Sequence, residues 1–95
     1  MKDGFELTII TPSGIFGRFE CDSVIINIPD GKKGNEAGAY GIKKGHVSSS
    51  FLLAKDGKIS ASLGGKQIIS ATVSDGFADA EPDSVTVTVD KIKLI

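Results

Sequence analysis

Glycine beside lysine is the first combination in this chain that could do chemistry. Backbone amides and an ammonium group together can cradle a phosphate. The pair occurs as Gly31-Lys32, Gly57-Lys58 and Gly65-Lys66. A phosphate-binding P-loop needs a second glycine five residues earlier and a Ser or Thr after the lysine. All three pairs lack both. The dinucleotide pattern G-x-G-x-x-G does not occur. No helical period follows a glycine cluster to supply a positive helix end. The glycines therefore read as turn residues.

His46 is the only histidine. As a general base it needs a nucleophile or an orienting acid within reach. Ser48, Ser49 and Ser50 follow it. They fall on an expected strand, where neighbours face opposite ways, and no sharp strand-to-helix turn presents one of them. His46 thus reads as a histidine at a strand start or an interface. One Cys and one His cannot build a zinc site. Asp79, Glu81 and Asp83 could share a strand face, but EF-hand spacing and its terminal glutamate are missing. They read as a solvated acidic edge that discourages strand-to-strand aggregation. Cys21, in "RFECDSV", has no basic cluster beside it and reads as a small packed hydrophobe. Phe5, Phe16, Phe19 and Phe77 are expected in the core, and Tyr40, in glycine-rich surroundings, at a partner contact. No catalytic, cofactor-binding or metal-binding residue is expected.

The bulk properties agree. The chain has 95 residues, 40% of them hydrophobic, and a net charge of −1. That predicts one globular domain with its own core, and no electrostatic footprint for nucleic acid or anionic lipid. A lone cysteine forbids an intrachain disulfide and suits a reducing cytoplasm. "MKDGFELTII" does not have the pattern of a signal peptide. No apolar run approaches the ~18 residues of a membrane helix. Membrane association is expected only through a partner.

The elements that must position these residues are strands. Phe5, Leu7 and Ile9 alternate with polar residues, as do Ile59, Ala61 and Leu63, then Ile69, Ala71 and Val73, then Val85, Val87 and Val89. Period two in β-branched residues predicts half-buried strands. "SVIINI" (23–28) is more continuously apolar and predicts a central strand. Turns are expected at Pro12-Ser13-Gly14, Pro29-Asp30-Gly31, Lys55-Asp56-Gly57, Gly64-Gly65, Asp75-Gly76 and Pro82-Asp83. Short strands at turn-marked intervals predict an antiparallel sandwich or barrel. Segment 30–46 interrupts the rhythm with five glycines. It predicts a long loop carrying one short strand at Tyr40–Ile42, and long loops are usually functional. It holds four lysines, whereas 75–83 holds four acids and no base.

Taken in order, "LTIITPSG" (7–14), "CDSVIINIPDG" (21–31), "GAYGIKKGH" (38–46) and "VSDGFADAEPDSVTVTVD" (73–90) resemble the N-terminal β-sandwich of the epsilon subunit of F-type ATP synthases. The resemblance implies a single domain over 1–95: an antiparallel β-sandwich or flattened barrel of about ten short strands. It implies a non-catalytic rotor subunit that binds the gamma subunit and the membrane c-ring, with no cofactor. It also implies a peripheral place on the cytoplasmic face of the cell membrane. The ring-side positions correspond to Asp30, Gly38, Ala39, Tyr40, Gly41, Lys43 and Lys44. The gamma-side positions correspond to Thr11, Ser13, His46, Ser49, Phe51 and Phe77.

The chain departs from the family pattern at several places. Ala39 stands where the family often has an acid. Lys43 and Lys44 replace an apolar–proline pair. Residues around "KKGNEAG" are inserted, Ser48 replaces a proline, and Asp75 replaces a glycine. A lysine-rich loop implies a ring with acidic or neutral loops. Five residues follow Asp90 where the family usually continues into a helical hairpin, so neither an inhibitory arm nor a nucleotide site is expected. Two other readings are a stand-alone module binding carbohydrate or a peptide strand, and a small hydrolase using His46. Zero Trp and one Tyr make a sugar platform a poor match.

Overall fold

The computed structural model describes residues 4–29, 37–45, 48–53 and 56–95. Eight strands run through them: β1 (Phe5–Thr11), β2 (Gly14–Cys21), β3 (Ser23–Pro29), β4 (Ala37–Lys43), β5 (Ser49–Leu52), β6 (Gly57–Leu63), β7 (Lys66–Glu81) and β8 (Ser84–Leu94). The order is β2-β1-β8-β7-β6-β3-β4, with β5 added on β7. Every pairing is antiparallel except β1 with β8. The all-β antiparallel architecture expected from the alternation is present.

Two strands are long enough to serve both layers. β7 pairs with β6 up to Val73 and with β5 from Phe77 onward. β8 pairs with β1 only up to Thr88. Each is therefore divided between two half-sheets, so eight strands supply ten strand segments. One half-sheet is β2-β1-β8-β7-β5, and the other is β8-β7-β6-β3-β4.

The division falls at Asp75–Gly76. Asp75 has φ of 51°, the left-handed region, which short polar side chains tolerate. Pairing passes from Ser74↔Lys91 to Gly76↔Val89 without a change of register. Asp75-Gly76 is thus a bend inside β7, not the turn between strands that its residue types predict. The true turn is at Pro82–Asp83. The left-handed backbone also explains why a glycine suits position 75.

The inward faces meet in one core. Leu7, Ile9, Ala78, Ala80, Val85 and Val87 come from one half-sheet. Val24, Ile26, Ile42, Ile59, Ala61, Ile69 and Ala71 come from the other. Full burial of a Leu, Ile or Val contributes about 1.5–3 kcal/mol. Among the described residues no polar or charged side chain is buried. The predicted faces hold except at Leu63, which is exposed just after a bulge between Ala61 and Ser62. β3 lies one strand in from an edge and alternates: Val24 and Ile26 are buried, Ile25 is exposed.

Two expectations on aromatic placement are corrected. Phe16 is 41% exposed, because it is the extra residue of a bulge that lets Ile10 face Ile15 and Ile9 face Gly17. Phe77 is 43% exposed, because Ala78 and Ala80 take the inward parity of β7. Phe5 is buried and Phe19 packs on the core as expected. The segment expected to be mostly loop carries a seven-residue strand, Ala37–Lys43, paired in unbroken register with β3.

Candidate partner-binding surface

Strand parity decides which predicted contact residues can meet a partner. On the outer face of the first half-sheet, register aligns side chains into rows across five strands. The row nearest the Pro12–Ser13 turn is Ile15, Ile10, Thr88, Phe77 and Leu52. Ile15 is 54% exposed and Leu52 is 72% exposed. The next row is Arg18, Thr8, Thr86, Asp79 and Ser50, where Ser50 donates to Asp79 Oδ1 at 2.6 Å. The third is Glu20, Glu6, Ser84 and Glu81, with Ser48 donating to Glu81 Oε1 at 3.1 Å. One face thus grades from apolar through neutral to acidic.

The positions matched to the gamma-side motif divide on this frame. Thr11 closes β1 beside the apolar row, where its hydroxyl donates to the Gly14 carbonyl at 3.2 Å. Ser13 lies in the turn beyond it. Both line an open groove with Phe16, Asp56, Asp90 and Lys91. Phe77 lies in the apolar row itself. Ser49 and Phe51 have the other parity, since they pair with the buried Ala80 and Ala78. Phe51 packs on the core, and its ring lies 4.7 Å from that of Tyr40, tilted by 41°. That contact joins β5 to β4, the edges of the two half-sheets. The outward residues of β5 are Ser50 and Leu52.

The ring-side positions spread along β4. Gly38 and Ala39 pair with Ile28 and Asn27, whereas Lys43 pairs with Ser23 at the far end. At ~3.3 Å per residue, Ala39 and Lys43 stand ~13 Å apart. Tyr40 is half-buried in the contact with Phe51, and Gly41 has open space where a Cβ would project. Lys43 and Lys44 are exposed. After them, the Gly45 amide donates to the Pro82 carbonyl at 2.7 Å. The lysine pair therefore ends beside the acidic β7–β8 turn, so two oppositely charged segments of the sequence meet. Asp30 and His46 lie outside the described residues.

Nothing in the described geometry makes a reaction centre. Cys21 is fully buried, with Sγ 3.7 Å from the Phe5 carbonyl. Burial, followed by the negative charge of Asp22 and then Glu20, pushes its thiol up to about 11. A thiol held protonated is a poor nucleophile. Asp79 and Glu81 share a face as expected, but among the described residues no group of three His, Cys, Asp or Glu could hold a metal. Ile10, Ile15 and Leu52 are the contact candidates missed from sequence. The available signal is an apolar residue on the polar phase of a strand, as with Ile10 in "FELTIIT".

Residues 4–95 match the family described as ATP synthase, delta/epsilon chain, β-sandwich domain. No curated protein matches the chain by sequence. Among solved structures, a chain of the Euglena gracilis mitochondrial ATP synthase, an assembly of OSCP, F1 and c-ring, is similar with a TM-score of 0.74 and 18% identity. That alignment covers 99% of this chain and 55% of the other. A chain of the Tetrahymena thermophila mitochondrial ATP synthase central stalk and c-ring is similar with a TM-score of 0.67 and 17% identity, covering 94% and 65%. The chain thus spans less than two thirds of each of these structural neighbours.

Proposed function

The chain belongs to the ATP synthase delta/epsilon β-sandwich family, and on that premise we propose that it is a non-catalytic central-stalk subunit, or the sandwich domain of one. It binds the gamma subunit and the c-ring of an F-type ATP synthase and couples proton or sodium flow to ATP synthesis. It is peripheral, on the cytoplasmic face of the cell membrane, and touches the membrane only through the complex. The family match over residues 4–95 carries this proposal. The outer face described above supplies a surface for it. Ile15, Phe77 and Leu52 lie exposed on that face, and large apolar side chains gathered on one face mark an interaction site.

Gamma meets the Thr11–Ser13 end and the row containing Phe77 and Leu52. Ser49 and Phe51 support that face from behind. The ring meets the β4 end at Lys43 and Lys44, with Gly38, Ala39, Tyr40 and Gly41 along the same strand. A rotor clamp needs a stiff body and two contact surfaces, and no nucleophile. The test is co-purification with the gamma homologue from the same genome, at micromolar concentration, with and without the ring. A stable complex is expected, and failure of the purified chain to associate with either partner overturns the proposal.

A further inference from the structure

Resting on that assignment, we propose that the graded outer face selects a partner surface in which apolar side chains are flanked by lysine or arginine. The apolar row comprises Ile15, Ile10, Phe77 and Leu52. The acidic row comprises Glu20, Glu6 and Glu81.

The geometry is set by register. Ile10 to Glu6 and Phe77 to Glu81 are each four residues along a strand, ~13 Å. Between them lies a row in which Arg18 and Asp79 carry opposite charges and the remaining members are hydroxyl residues. That row favours no sign. At ~4.8 Å between strands the five-strand apolar row is ~19 Å long and the four-strand acidic row ~14 Å, room for several partner side chains. An apolar strip alone would accept many surfaces. A parallel acidic strip at fixed distance narrows the choice, because an acidic or neutral partner would leave carboxylates facing like charge or losing water unpaired. Lys43 and Lys44 sit at the rim of the acidic end, beside Pro82. Glu6, Glu20 and Glu81 are all exposed.

The two strips separate in the test. The probe is the purified gamma homologue, titrated against the chain at low and at physiological ionic strength. Glu6→Gln with Glu81→Gln keeps the side-chain shape, and the amide oxygen introduced at position 81 can still accept from Ser48. This pair is expected to weaken binding about three- to tenfold at low salt and to flatten its salt dependence, since exposed ion pairs are individually weak and are screened by salt. Leu52→Ser with Phe77→Ser is expected to weaken binding at least tenfold at every salt concentration. All four residues are outward, so circular dichroism and Tm serve as the folding control. If gamma binds the parent chain and the double Glu→Gln variant equally at all salt concentrations, the charge selection is wrong and the stalk assignment stands. If gamma does not bind the parent chain, both fall.

Discussion

Gly76→Ala is the most informative single change to the frame of this domain. A Cβ at position 76 would stand 2.7 Å from Val89 Cγ1, 2.8 Å from Val89 Cα and closer still to the Thr88 carbonyl oxygen. Ordinary carbon contacts lie at about 3.5–4.0 Å. Relief therefore requires β7 and β8 to separate by about 1 Å at the bend where they pass from one half-sheet to the other. Two of the three obstructing atoms are backbone, so no rotamer change can clear them. Overpacking costs about 1–3 kcal/mol, and this site belongs at the upper end, about 3 kcal/mol. A domain of 95 residues has a stability of about 5–14 kcal/mol, and each kcal/mol moves Tm by about 4–8 °C. Gly76→Ala should then lower Tm by about 12–24 °C, measured by calorimetry and checked by urea unfolding with an unchanged m-value. Asp75→Gly is the internal control. It relieves a left-handed residue but adds unfolded-state entropy, so it should stay within about 0.5 kcal/mol of the parent. If Gly76→Ala also stays within that margin, the crowding at the bend does not exist as described.

The contact between Tyr40 and Phe51 should appear in a double-mutant cycle. Tyr40→Leu and Phe51→Leu, alone and together, should give a coupling of about 1 kcal/mol in urea unfolding, and a coupling near zero would mean that the rings do not hold the edges together. Cys21 should resist thiol reagents at neutral pH and react at the rate of unfolding. Its folded-state thiol lies near 11 against an ordinary value of 9.0. Above pH 9 the unfolded thiol therefore loses its proton first, and stability should fall between about pH 9 and 11. A Cys21→Ser variant with the same decline would show that another group is responsible.

Residue alternation is a sufficient guide wherever one strand face is apolar and the other polar. Leu7, Ile9, Val85 and Val87 need nothing more, and their parity carries directly into the core. Alternation fails where an extra residue intervenes. Phe16 sits at a bulge that depends on the partner strand β1, and no local signal marks it. It also fails at Asp75-Gly76, because a dipeptide suited to a turn also suits a bend, and only the partner strand distinguishes them. Most of β4 is hidden from sequence because its glycines mask a strand whose order comes from pairing with β3. On the candidate surface, Thr11, Ser13 and Phe77 are legible by resemblance. Ser49 and Phe51 are matched in position but not in orientation, since four residues are too few to establish parity. The rows on the outer face cannot be seen in the sequence at all, because a row is a property of register among five strands.

The parallel pairing of β1 with β8 has a consequence for how the chain is made. Glu6 finds Ser84, and Ile10 finds Thr88, across nearly the whole sequence. Emerging from a ribosome, β1 and β2 can form a hairpin early, but the other edge of β1 has no strand partner until β8 is synthesised. The first half-sheet therefore closes last, after the loop-closure entropy of almost the entire chain has been overcome. Until then the nascent domain displays a sticky strand edge beside its future apolar row. Its vulnerability to aggregation lies in that interval, before the finished fold exists.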